Sequence, residues 1–570
     1  MIRMNIAVIL ITSFIFFNLN LYSQTYAKQG IVVSSSKIAS KVGVDILKKG
    51  GNAIDASVAT AFALAVTHPS AGNIGGGGFL VYMNNKGKAT SIDFREKAPI
   101  NATSDMFLNS KGQLPLAKNL YGGSTTVNHV GLKSVGVPGT VAGLYLAHEK
   151  YGQLPWYDLV QPAIDLAENG IKMSWNLAQD AKTLNSTTDV RFLKNYFNNE
   201  HDTLVGFGET WVQPALANTL KLIRDNGKDG FYKGEVAQEI ARYMKENGGI
   251  ITEEDLLKYE AIERKPIKGN YKNYHIYAMP PPSSGGVVLV EMLNMLEMAD
   301  IKNIEFNSTP YVHLLAEIMR RAYADRAKYL GDADFNPSLP LDKLTSKAHA
   351  KTRYESIDMQ KASVSDSTQF GQLYESEHTT HFSVVDKEGN AVSLTYTLER
   401  SYGSGMGSKQ LGFIFNNEMG DFNPKPGITN TRGLIGTEPN LIEPEKRMLS
   451  SMTPTIVAKN NRPYLVIGSP GGRTIINTVF QTIVNVLDYD MPIHKAIEHM
   501  KIHHQWLPDV IYYEKHLMSP DTKKNLELKG HKLKDRKNLG RLMGIIIDHN
   551  DNIKIGAADS SSPSGKAIGY

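Results

Sequence analysis

Between Val32 and Val66 the hydrophobic pattern reads as a strand followed by two helices. Val32-Val33 is a short apolar run, and Ala39 to Lys49 carries apolar residues at helical spacing. Gly50-Gly51 ends that helix, and Asn52 is placed to cap the next. That next helix, Ala53 to Val66, is small and apolar on every side, so it belongs inside a core layer. A glycine-rich run, Gly72 to Gly78, precedes a strand over Phe79 to Met83. From about Thr140 to Gln360 the period is helical, with helices predicted over Trp156–Glu168, Leu216–Asn226 and Tyr311–Leu330. Pro280 to Gly286 interrupts this region as a structural turn, ahead of an apolar helix from Val287. Ser363 to Glu377 is polar and predicts a mobile linker.

After Thr379 the period changes to two. His381–Val385 and Ala391–Leu398 predict a hairpin closed by Asp386-Lys387-Glu388-Gly389-Asn390. Further strands are predicted at Phe413–Phe415, Thr455–Ala458, Tyr464–Ile467 and Met543–Asp548, with helices at Thr474–Asp488 and Ile493–Glu498. Strands and helices mix in both parts and hairpins recur, which points to an α+β fold rather than a doubly wound sheet.

The start of the chain changes the picture of where it works. Met1-Ile2-Arg3, an apolar run from Ile6 to Phe17, and Leu21-Tyr22-Ser23 predict a signal peptide over residues 1–23. The run is shorter than the ~20 residues of a spanning helix, so no stable membrane anchor is expected. A periplasmic or extracellular location follows. The chain has no cysteine, which excludes disulfides, thiolate catalysis and Cys-type zinc sites. With 62 Lys and Arg against 57 Asp and Glu, the net charge of +5 is small for 570 residues. No basic stripe with interleaved aromatics points to nucleic acid. His378 with His381, and His503-His504, lack carboxylates at ligand spacing, so neither metal nor cofactor is expected. Gly75 to Gly78 is no phosphate loop, because no Gly-Lys-Ser/Thr follows, and Ser469 lacks the spacing of a nucleophile elbow.

The run His378-Thr379-Thr380-His381-Phe382-Ser383-Val384-Val385-Asp386 carries the candidate chemistry. A threonine that becomes an N-terminus gains an α-amine able to take its hydroxyl proton. That amine titrates near pH ~7.7–8.0, so part of it is free base at neutral pH. Cutting between His378 and Thr379 therefore creates both nucleophile and base. Strand alternation puts Thr379, His381 and Ser383 on one face, and Thr395, Thr397 and Glu399 on one face of the partner. Thr397 is thereby placed to hold the Thr379 hydroxyl.

Four further segments add groups. Asp93-Phe94-Arg95-Glu96 offers an arginine at a strand end, and Asn416 to Phe422 offers the carboxylates Glu418 and Asp421. Arg447 to Thr455 offers the paired hydroxyls Ser450 and Ser451, and Gly468 to Arg473 offers the unobstructed N–H groups of Gly471 and Gly472. With the Thr379 motif, and in this order, these segments resemble the γ-glutamyltransferase (γ-glutamyl transpeptidase) family of N-terminal nucleophile hydrolases. The resemblance runs from about residue 50 to Tyr570.

It implies a four-layer αββα sandwich and self-cleavage before Thr379. A large subunit, 24–378, and a small catalytic subunit, 379–570, would form a heterodimer. It implies transfer of a γ-glutamyl group from glutathione or other γ-glutamyl compounds to water, an amino acid or a dipeptide. Thr379 would be the nucleophile, Thr397 its support, and Gly471 and Gly472 the oxyanion hole. Arg95, Ser450 and Ser451 would bind the substrate α-carboxylate, while Glu399, Glu418 and Asp421 would bind its α-ammonium.

Three positions depart from the family pattern. Glu399 stands where several members have Asn, Arg432 where an aromatic gate is usual, and Ser560 where arginine commonly follows Asp559. The last is expected to act locally only. Two other readings fit the same residues: a related glutaryl or cephalosporin acylase or poly-γ-glutamate depolymerase, and a non-catalytic periplasmic amino-acid or peptide-binding protein.

Overall fold

The computed structural model describes residues 24–365, 379–425 and 438–570. The predicted signal peptide, His378, nearly all of the predicted linker and Arg432 lie outside the described residues. No helix among the described residues is long and apolar enough to cross a membrane.

Two seven-stranded sheets form the centre. In chain order their strands are Gln24–Ala27 (β1), Ile31–Ser34 (β2), Gly77–Met83 (β3), Ala89–Phe94 (β4), Ile262–Arg264 (β5), Ile267–Tyr271 (β6) and Tyr274–Ala278 (β7). Then follow Thr379–Val385 (β8), Ala391–Thr397 (β9), Thr455–Lys459 (β10), Arg462–Gly468 (β11), Met543–Asp548 (β12), Ile553–Ala558 (β13) and Lys566–Gly569 (β14). One sheet runs β1-β13-β12-β11-β10-β7-β6, the other β14-β2-β8-β9-β3-β4-β5. All of these pairings are antiparallel.

Alternation along the strands builds the layers. Ile31, Val33, Val81, Val385, Ile456, Val466 and Ile545 meet between the sheets. Val32, Leu80, Val384 and Leu394 point outward, against helices Lys37–Lys48 (α1) and Ala53–Thr67 (α2) and their neighbours. On the far side Ile276, Val457 and Leu465 pack against Gly285–Leu296 (α3), Thr309–Tyr329 (α4) and Thr474–Leu487 (α5). The result is the α+β, four-layer αββα sandwich expected from the sequence.

Local chemistry places the elements. Asn52 accepts from the Ile54 and Asp55 N–H groups and Asp55 reciprocates, a capping box at the start of α2. Residues Ala53 to Val66 are all buried, as a helix without a polar face must be. The hairpin closes where expected: the Asp386 carboxylate accepts from the Asn390 N–H at 2.9 Å, with Gly389 at φ 88°. One expected strand is absent. Phe413–Phe415 is buried but pairs with no strand. Its aromatic alternation comes from core packing, with the rings of Phe413 and Phe415 5.4 Å apart, edge to face. Hydrogen bonds from Phe415 N–H to Met406 and from Asn416 N–H to Gly75 fix it as a loop that delivers Asn416 to Asp421.

Candidate active site

Thr379 opens β8 directly opposite Thr397 of β9. Both line a cleft of about 310 Å³ together with Arg95, Glu399, Glu418, Asp421, Ser450, Ser451 and Gly472. Nine of the ten residues singled out from sequence therefore converge on one cleft. Gly471 precedes the lining residue Gly472 in the chain and does not itself line the cleft.

The centre of the cleft is the guanidinium of Arg95, which is fully buried. Its Nη1 is bonded to Glu418, its Nη2 donates to Asp421 at 2.5 Å, and its Nε donates to the Met448 carbonyl at 3.2 Å. Glu96 lies 3.6 Å from Nη1. Arginine and acids predicted as separate contacts are thus already in contact with each other. Burial works against the Arg95 charge, but Glu418, Asp421 and Glu96 outweigh it and raise its pKa. Burial also lifts the Glu418 carboxyl well above the usual range, with Arg95 opposing and Glu96, Asp421 and Glu399 adding to the rise. Burial pushes Glu96 up to about 7 despite Arg95. Both Glu96 oxygens and Oε2 of Glu418 have no hydrogen-bond partner among the described residues.

Glu399 departs from the strand prediction. β9 ends at Thr397, so alternation does not aim Glu399; its own left-handed backbone does, at φ 75°. Its Oε1 lies 3.1 Å from His129 Nδ1 and 3.3 Å from Arg400 Nε. Burial works against its ionisation, but His129 and Arg400 outweigh that and lower its pKa.

Ser450 and Ser451 sit on a stretch held by the Pro280 to Gly286 turn. Ser284 Oγ donates to the Ser450 carbonyl at 2.7 Å, and Ser283 Oγ to the Met452 carbonyl at 2.6 Å. Arg326 of α4 donates to Ser284 Oγ through Nε and to Ser451 Oγ through Nη2, each at 2.8 Å. The turn read from sequence as structural is in fact the brace of the site. Arg326, Ser283, Ser284, Glu96 and His129 were all missed from sequence. Only Glu96 had a signal available, its place beside Arg95.

Gly471 and Gly472 precede α5 at φ 139° and 58°, backbone that disfavours side chains. Neither N–H meets an acceptor among the described residues. The helix start adds a favourable dipole for negative charge. On the strand that Thr379 opens, His381 is buried between the sheets, 2.8 Å from Thr395 Oγ1 and 3.0 Å from Ser383 Oγ. Burial drops its pKa to about 3, so it is neutral at physiological pH. At the chain's end Asp559 pairs with Lys501 at 3.5 Å rather than with a following arginine.

Two buried groups elsewhere bring three ligand-type side chains together: His313, Glu317 and His531, and Glu291, Asp325 and His349. Glu317 is engaged by Arg320 and Arg321, and Asp325 by Arg353.

The Gamma-glutamyltranspeptidase family profile matches residues 39–570. This chain belongs to that family. It is 47% identical over 548 residues to the glutathione hydrolase proenzyme of Escherichia coli (strain K12), covering 95% of this chain and 92% of the relative. Its fold is similar to the crystal structure of cephalosporin acylase from Bacillus halodurans, with a TM-score of 0.82 at 26% identity, covering 96% of this chain and 97% of that one. It is also similar to the crystal structure of Helicobacter pylori gamma-glutamyltranspeptidase, with a TM-score of 0.54 at 44% identity, covering 58% of this chain and 92% of that one. Family membership makes this chain an enzyme and weighs against the binding-protein reading.

Proposed function

We propose that this chain is a self-processing γ-glutamyltransferase and glutathione hydrolase, and that Thr379 becomes its nucleophile when the bond after His378 is cut. The observation that carries this reading is the convergence of Thr379 with Arg95, Glu418, Asp421, Ser450 and Ser451 in one cleft. The precursor comprises a signal peptide, 1–23, a large subunit, 24–378, and a small subunit, 379–570. The two subunits remain together as a heterodimer outside the inner membrane.

The new α-amine takes the Thr379 hydroxyl proton as Oγ attacks the γ-carbonyl of the donor. Thr397, opposite in register, holds the attacking side chain. The N–H groups of Gly471 and Gly472 receive the oxyanion, an effect worth ~2.7–4 kcal/mol per donor in other hydrolases. The amine of the donor departs with the proton, cysteinylglycine when the donor is glutathione. Water, or an amino-acid or dipeptide amine, then resolves the acyl-enzyme.

The donor's amino-acid end is held deep in the cleft. Arg95, Ser450 and Ser451 bind the α-carboxylate; Glu399, Glu418 and Asp421 bind the α-ammonium. The acylase reading keeps the fold and the nucleophile but replaces the acyl group. A glutaryl group has no ammonium and would leave the buried Glu399 and Glu418 and the half-buried Asp421 without a cation from the substrate, so the γ-glutamyl reading is favoured.

Intact mass spectrometry of the purified protein beside Thr379→Ala tests the proposal. The expected result is two fragments meeting at His378/Thr379 in the wild type and one uncut chain in the variant. One uncut chain in both overturns it.

A further inference from the structure

The cleft contains a charge problem. Arg95 is its central cation, yet Glu418, Asp421 and Glu96 already surround that guanidinium. A substrate carboxylate arriving beside Arg95 alone would meet a guanidinium whose Nη1 and Nη2 are already engaged by Glu418 and Asp421. A second cation lies one side chain away. Arg326, 4% exposed on α4, donates through Nη2 to Ser451 Oγ at 2.8 Å.

That contact also fixes the polarity of the serine pair. A hydroxyl has one proton to donate and lone pairs to accept. Arg326 fills the accepting side of Ser451, and the Met452 N–H fills that of Ser450 at 3.1 Å. No acceptor among the described residues takes either hydroxyl proton, and both serines line the cleft. Each proton is therefore left to point at an anion in the cleft. Arg326 Nε holds Ser284 Oγ at 2.8 Å, and Ser284 holds the Ser450 carbonyl, so one guanidinium braces both serines.

We propose that Arg326 is a positioning residue for the substrate α-carboxylate, acting through Ser451 as a second guanidinium beside the one that Glu418 and Asp421 already engage. This rests on the γ-glutamyl reading of the cleft. It assigns carboxylate recognition to an arginine of the large subunit and serines of the small one.

The test compares two anilide donors, γ-glutamyl and 4-aminobutyryl, which differ only in the α-carboxylate. For Arg326→Gln, correctly cut by intact mass, KM for the γ-glutamyl donor should rise about tenfold, the scale of a lost hydrogen bond to a charged group. Its kcat should change little, and kcat/KM for the 4-aminobutyryl donor should match wild type. Arg326→Lys should recover part of the loss, and serves as the reporting variant if the glutamine variant is not cut. A loss equal for both donors, or none for either, overturns the inference while leaving the parent reading intact. A wild type that turns over neither donor overturns both.

Discussion

Arg95, proposed to bind the substrate, also holds the fold. Buried between Glu418 and Asp421, it leaves two carboxylates uncompensated when removed. Breaking a buried pair from one side costs about 3–5 kcal/mol. Arg95→Ala should therefore lower the melting temperature as well as raise KM for γ-glutamyl donors, which calorimetry and initial rates check together. Glu96 gives a pH signature. Its folded pKa, about 7, lies above the ordinary 4.5, so the folded state holds a proton that the unfolded state releases. Stability from this group is complete below pH 4.5 and falls as pH rises toward 7. Glu96→Gln should flatten the melting temperature over that window; an unchanged slope would remove Glu96 as its source. Residues were legible where chemistry sits within a few positions, as in Asn416 to Phe422 or Gly471-Gly472. Arg326 was not, because 125 residues separate it from Ser451 and only the fold joins them.

At the scale of elements, β8 and β9 were readable because alternation and turn residues agree. Phe413–Phe415 misled because buried aromatics alternate in a packed loop as they do in a strand. The Pro280 to Gly286 turn was read correctly as a turn, but its partner, the Ser450 stretch, is distant in sequence. The contact of β11 with β8 was equally invisible. A Cβ on Gly468 would lie 2.4 Å from the His381 ring, so β11 can approach only with glycine there. Gly468→Ala should cost about 1–3 kcal/mol by overpacking. It should also slow the cut before Thr379, because His381 shares that strand face. Thermal melts and a time course of fragment appearance check both.

For the whole molecule, the proposed cut divides both sheets without separating them. In one sheet β13-β12-β11-β10 lies between β1 and β7-β6; in the other β2 lies between β14 and β8. Five strand pairings thus join residues before 379 to residues after it. The two subunits should co-elute in native gel filtration and part only in denaturant.

Interleaving also gives maturation a direction in time. An uncut chain keeps its halves at the millimolar effective concentration of a tether, whereas cut halves must meet by diffusion. After denaturation, structure regained by Thr379→Ala should not depend on protein concentration, while activity regained by the mature enzyme should rise with it. Once cut and unfolded, a dilute molecule has lost its route home.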